Sequence, residues 1–197
     1  MPYMQSFRVL RVVVCLGISV MWLNAAEVFV QKVHLEPKTP DEDPQDFVRI
    51  VIDGQIYSCA SLNDWLLSPN LYGWDFVAVH PKGSAFGFVG CRVERCVDKE
   101  GKPFPYLTQE LLDIQLKRLK PEGPRYDGNT PVIGNPVTSV EFELLQIEET
   151  RSSRCHYRIS LVEDHLWIFG CEAAPRYFGP AYQTYGAFSG TFCRLKT

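Results

Sequence analysis

The chain has no apolar run of the roughly twenty residues needed to cross a bilayer. Its longest one, Val12 to Leu23, falls well short. No Cys-x-x-Cys or His-x-x-x-His spacing occurs. That leaves out the ligand pattern of a structural zinc site, and no metal or cofactor is expected. No Asn-x-Ser/Thr sequon is present; the nearest string, Asn129-Thr130-Pro131, does not fit, so N-glycosylation is not expected. There is no internal repeat and no low-complexity tract, which sets aside a solenoid. Basic charge is also in short supply. The chain carries 20 Lys and Arg against 23 Asp and Glu, for a net charge of −3. A protein of that sign is not steered as a whole toward nucleic acid. The short clusters Lys117-Arg118-Leu119-Lys120 and Arg151-Ser152-Ser153-Arg154 read as solvated surface.

What is present begins with a leader pattern. Arg8 and Arg11 precede the apolar run, and Asn24-Ala25-Ala26 closes it with small residues. These are the three parts of a secretory signal peptide. Cleavage is expected after Ala26, with no stable membrane association afterwards. The remaining chain then holds 18 basic side chains against 23 acidic, a net charge of −5, because the leader takes Arg8 and Arg11 with it. It also keeps six cysteines, Cys59, Cys91, Cys96, Cys155, Cys171 and Cys193. An even count in an exported chain predicts disulfides, with the pairing left open.

Three strands follow from the alternation between Thr138 and Glu172. Val140, Phe142 and Leu144 oppose Glu141 and Glu143; Tyr157, Ile159 and Leu161 oppose His156, Arg158 and Ser160. Leu166 to Cys171 is the third strand, joined to the second by the polar break Glu163-Asp164-His165. The face opposite the apolar one therefore collects Glu141, Glu143, His156 and Arg158. Two readings stand side by side. The set could supply a general base, a general acid and a phosphate clamp, or it could be the wet polar face that antiparallel sheets commonly keep.

Elsewhere, residues 27–35 read as a strand, and 36–46, with three prolines and five acids, as a connector. Phe47 to Tyr57 reads as a hairpin turning at Asp53-Gly54. Ser61 to Leu67 reads as a short capped helix, and Trp74–Val79 and Ser84–Val93 as strands. Thr108 to Lys120 is the clearest helix, with Thr108 as cap, Glu110 in the first turn, Lys117 and Arg118 in the last, and Pro121 as the stop. Residues 122–136 read as a Gly/Pro loop. Residues 173–190 read as a second loop, whose Tyr177, Phe178, Tyr182 and Tyr185 could either stack on a ligand or cover the core. The expected fold is α+β: one twisted antiparallel sheet with one main helix packed on it, stapled by disulfides.

From about Phe86 to Cys193 this order is similar to that of the small secreted fungal ribonucleases that prefer guanine. It resembles more closely the ribonuclease-like secreted effectors of plant-pathogenic fungi. Tyr57-Ser58-Cys59 has the aromatic-x-Cys form of those effectors, although Cys91 or Cys96 stands at the expected distance before the helix. Glu141-Phe142 fits the slot of the family's catalytic glutamate, and Arg158-Ile159-Ser160-Leu161 that of its arginine. The resemblance implies histidines near Cys171-Glu172 and near Pro131-Val132-Ile133, and neither is there. It thus implies the fold without the full catalytic set, over residues 86–197, with 27–85 as an extension or as extra strands. The function it implies is a secreted, non-catalytic, effector-like protein that binds a host RNA or protein, outside cells or delivered into host cells. An active ribonuclease using Glu141, His156 and Arg158 is the alternative. A carbohydrate-binding module using the aromatic segment 177–188 is the third reading.

Overall fold

The computed structural model describes residues 28–35, 45–52, 54–62, 64–71, 73–120 and 122–195. The leader, the acidic connector over 36–44, the turn residue Asp53 and the helix stop Pro121 lie outside the described residues.

The described residues form two antiparallel sheets and two helices rather than one sheet with one helix. The smaller sheet has the order β1 (Val28–Leu35), β2 (Gln45–Ile52), β3 (Gln55–Ala60), β11 (Cys193–Arg194). The larger has the order β4 (Leu66–Leu71), β5 (Trp74–Val79), β6 (Phe88–Arg95), β10 (His165–Ala173), β9 (Ser152–Val162), β8 (Ser139–Ile147), β7 (Arg125–Asp127). Helix α1 (Gln109–Leu119) packs on one face of the larger sheet. Helix α2 (Phe178–Thr191) and the smaller sheet cover the other. The extra layer comes largely from residues 27–85. Val48, Ile50, Ile52, Tyr57 and Cys59 point at the larger sheet and meet Phe76, Cys91, Trp167 and Phe169 there. Strand β11 pairs with β3, so the smaller sheet combines strands from both ends of the described chain.

The helix over Gln109–Leu119 forms where its cap and periodicity place it. Thr108 accepts from the Leu111 N–H, and Leu111, Leu112 and Leu119 are buried against Phe142, Leu144 and Ile159. A polar lock holds it to the sheet: Arg92 donates to Gln115 at 3.2 Å, Gln115 donates to Glu94 at 3.1 Å, and Arg118 closes on Glu94. Burial pulls the Arg92 guanidinium below its ordinary pKa, while Glu94 opposes that shift.

Two expected elements differ. Ser61, Leu62 and Trp65 are not helical and Leu66–Leu71 is a strand, so the short helix at Ser61 does not form. Its apolar residues Leu66 and Leu67 serve the edge of the larger sheet instead. The aromatic segment after Ala173 is a helix rather than a loop. Phe178, Ala181, Tyr185 and Phe188 recur at helical spacing and are all buried. That spacing prevails over Gly179, Gly186 and Gly190, which weaken helix propensity. Pro180 falls in the first turn, where a missing N–H costs nothing.

The disulfide staple is also replaced. All six cysteines are free thiols. Cys59, Cys91 and Cys171 pack as small apolar side chains in the core between the sheets, and Cys96 and Cys155 in the core under α1. Cys155 and Cys171 lie on neighbouring strands but on opposite faces. Burial pushes the thiols up, to about 12 for Cys59, Cys155 and Cys171 and to about 11 for Cys96. Packing thus does the work that crosslinks were expected to do.

At the centre of the larger sheet two glycines face each other, Gly90 on β6 and Gly170 on β10. Trp74 lies across them and stacks on Tyr157, ring centroids 6.4 Å apart. A Cβ at Gly170 would stand 2.7 Å from Trp74 Cζ2, closer than real side chains approach. Gly170→Ala should therefore lower stability by about 1–3 kcal/mol, the usual cost of overpacking. Chemical denaturation checks this as a lower midpoint with an unchanged slope.

Candidate functional site

Strands β8 and β9 set Glu141 opposite Arg158 and Glu143 opposite His156. The four side chains read from the sequence as one face do share one face. Glu141 lies 3.8 Å from Arg158 and 3.9 Å from His156 Nε2; Glu143 lies 3.5 Å from His156 Nδ1. Neither ring nitrogen makes a hydrogen bond. Glu143 is held instead by Arg154, at 2.6 and 3.0 Å. Both partners of that pair are about half exposed, so it contributes only about 0–1 kcal/mol.

On this face His156 is shielded from water while the two carboxylates are not. Helix α2 lies over the histidine, with the Tyr182 and Tyr185 rings edge-on to the His156 imidazole at 4.9 and 5.0 Å. The His156 side chain is 7% exposed, while Glu141 beside it is 51% exposed. Arg158 is fixed from three sides. It donates to the Ser189 carbonyl at 2.9 Å, sits 4.8 Å from the centroid of the Phe169 ring, and faces Glu141. Arg154 lies over Phe178 in the same way, at 4.5 Å.

The aromatics of the 173–190 segment are spent mainly on packing. Phe178 and Tyr185 are buried, and burial pushes the Tyr185 hydroxyl well above its ordinary pKa. Tyr177 packs on Phe86 at 4.3 Å and Tyr182 is 41% exposed. Phe178, Tyr182 and Tyr185 stack in a row, with 5.7 Å between successive centroids, while Tyr177 stands apart on Phe86. Where the resemblance calls for a histidine, Cys171 stands directly opposite His156 on the α2 side of the sheet. Glu172 stands opposite Cys155 on the α1 side.

A groove opens beside Arg158, at one end of the space between the two sheets. Three alternate rungs of the β9–β10 ladder form one wall: Arg158 with Phe169, Ser160 with Trp167, and Val162 with His165. Tyr57 of β3, Phe192, and Cys193 and Arg194 of β11 form the other. Its volume is about 230 Å³. Phe192 stacks on Tyr57 at 5.5 Å and meets Trp167 edge-on at 4.8 Å, so four rings with Phe169 make an aromatic floor. The rim carries Arg158, Arg194 and His165, with Glu163 held by Arg194 at 2.6 Å. Sequence reasoning reached Arg158 but missed Tyr57, Trp167, Phe192 and Arg194. They come from three distant segments, and only the pairing of β11 with β3 joins them. The one local signal was the alternation of Trp167 with Phe169 on a single strand face.

No protein-family model matches the chain, and no curated protein matches it. Among solved structures, the chain is similar to the solution structure of cyanobacterial PsbP (CyanoP) from Synechocystis sp. PCC 6803. The two are 12% identical, with a TM-score of 0.45, over 92% of this chain and 97% of that one.

Glu172 gives this region a pH signature. Burial raises its carboxyl above the ordinary Glu value, against the lowering pull of Ser153 and Arg151. The folded state therefore binds a proton that the unfolded state releases. The stability tied to that proton is full below the unfolded value of about 4.3 and is lost as pH rises through the raised folded value. Glu172→Gln removes the titration. Thermal melts should show the variant matching the wild type in acid and exceeding it near neutral pH. A gain in Tm that does not grow with pH would refute this account.

Proposed function

We propose that this protein works by binding rather than by catalysis, with the groove between its sheets as the ligand site. The observation that carries the reading is the pair of tyrosines over His156. A general acid must reach the atom it protonates, and a 7% exposed imidazole under Tyr182 and Tyr185 has little room to do so. The groove, by contrast, is open, floored by rings and rimmed by cations. The leader pattern at Arg8–Ala26 supports an exported protein, and the ligand is then met outside the cell or in a host.

The convergence of Glu141 with His156 and Arg158, all within 4 Å contacts, favours a second reading, an active ribonuclease. A cleavage assay on single-stranded RNA separates the two. The purified protein should leave the RNA intact at every pH tested, and Glu141→Gln should behave the same. Metal-independent cleavage lost in Glu141→Gln would make the cluster an active site and overturn the binding reading.

A further inference from the structure

The groove's chemistry narrows what it can hold, given the binding role proposed above. Size comes first. An apolar cavity of about 150 Å³ accommodates benzene, so about 230 Å³ takes one ring with a short substituent rather than a nucleotide or a sugar chain. Shape agrees, because Tyr57, Trp167, Phe169 and Phe192 offer ring faces and edges, which favour an aromatic guest.

Charge decides the substituent. An aromatic box alone would also suit a quaternary ammonium. Here, however, the rim brings two guanidiniums, Arg158 and Arg194, against one carboxylate, Glu163, already taken by Arg194. Arg158 keeps spare donor capacity: its Nη2 serves the Ser189 carbonyl, Glu141 stands at 3.8 Å from Nη1, and its Nε has no hydrogen bond. A third donor waits beneath. Trp167 is 6% exposed and its indole N–H has no acceptor. Buried donors are normally satisfied. Trp167 and Arg158 sit on adjacent rungs of the same face, as diagonal neighbours about 7–8 Å apart at the backbone, a span long side chains can bridge. The edge-on ring of Phe192 packs against the indole, and it borders the groove next to β11, a strand of two residues.

We propose that the groove binds a small aromatic carboxylate, its ring on the aromatic floor and its carboxylate accepting from Arg158 and from the Trp167 indole N–H, with the Phe192 ring shifting to admit it.

Benzoate is the probe, with benzyl alcohol, benzyltrimethylammonium and acetate beside it. Titration calorimetry gives affinity, and the indole N–H resonances, with that of Trp167 assigned by its loss in Trp167→Phe, report the contact. Benzoate should bind more tightly than the other three and shift the Trp167 resonance. Arg158→Gln and Trp167→Phe should each weaken it about tenfold, the scale of one hydrogen bond to a charged group. Arg194→Gln, on the exposed rim, serves as a second charge variant if Arg158→Gln melts early. Tighter binding of the ammonium, equal binding of benzoate and acetate, or indifference of benzoate binding to both charge variants would overturn the assignment. If no small probe binds, but RNA or a protein partner does and Arg158→Gln abolishes it, the ligand class is wrong and the binding role stands. Cleavage of RNA would remove that role itself.

Discussion

Strand β10 is buried on both faces, and the rest of the molecule follows from that. From Leu166 to Cys171 each of its residues is buried, with odd positions in the core between the sheets and even positions in the core under α1. A strand of this kind needs a layer on each side. The helix α1 covers one side, and one helix cannot also cover the other. Strands β1 to β3 and helix α2 supply that second cover, and the last strand is drawn back to β3 as a result. The glycine pair at Gly90 and Gly170 belongs to the same constraint. Only there can Trp74 lie against the backbone of the central strands, and its ring fills the α1 side where no side chain could.

Strict alternation exposed β8 and β9, because each has a polar face and an apolar one. Trp74–Val79 and the helix from Thr108 were also legible, the helix from its cap, charge and period. The continuous apolar run of β10 showed a strand but not its two-sided burial, which periodicity alone cannot reveal. Helix α2 was hidden by composition. Its glycines argued for a loop, while the spacing of Phe178, Ala181, Tyr185 and Phe188 argued for a helix, and the burial reward decided it. The cysteines misled for a related reason. Their even number in a chain with a leader pattern suggested crosslinks, yet free cysteine is among the most readily buried residues, and five of the six are used in that way.

The polar face shows why residue types alone do not make a site. Glu141, Glu143, His156 and Arg158 come together as the strand register requires; alternation showed which side chains share a face, not which stand opposite one another. What lies above them was not readable, because the cover comes from a segment read as a loop. With Tyr182 and Tyr185 over the imidazole, His156 and its neighbours Arg154 and Arg158 anchor α2 to the sheet. Arg158 binds the helix through Ser189, Arg154 rests on Phe178, and His156 meets two rings of the same helix. Charge is used here to orient a layer.

Arg158 is the residue that links anchor to opening. Its Nη2 holds the last turns of α2, and its other side borders the groove beyond. A ligand that engages it therefore touches the same side chain that fixes the helix. Phe192, one residue past the end of α2, packs on the groove's rings and stands next to Cys193, whose strand closes the smaller sheet. The groove, the end of α2 and the strand that closes the smaller sheet thus share a few contiguous side chains. Occupancy of the groove would be felt first there, in the packing of α2 and β11.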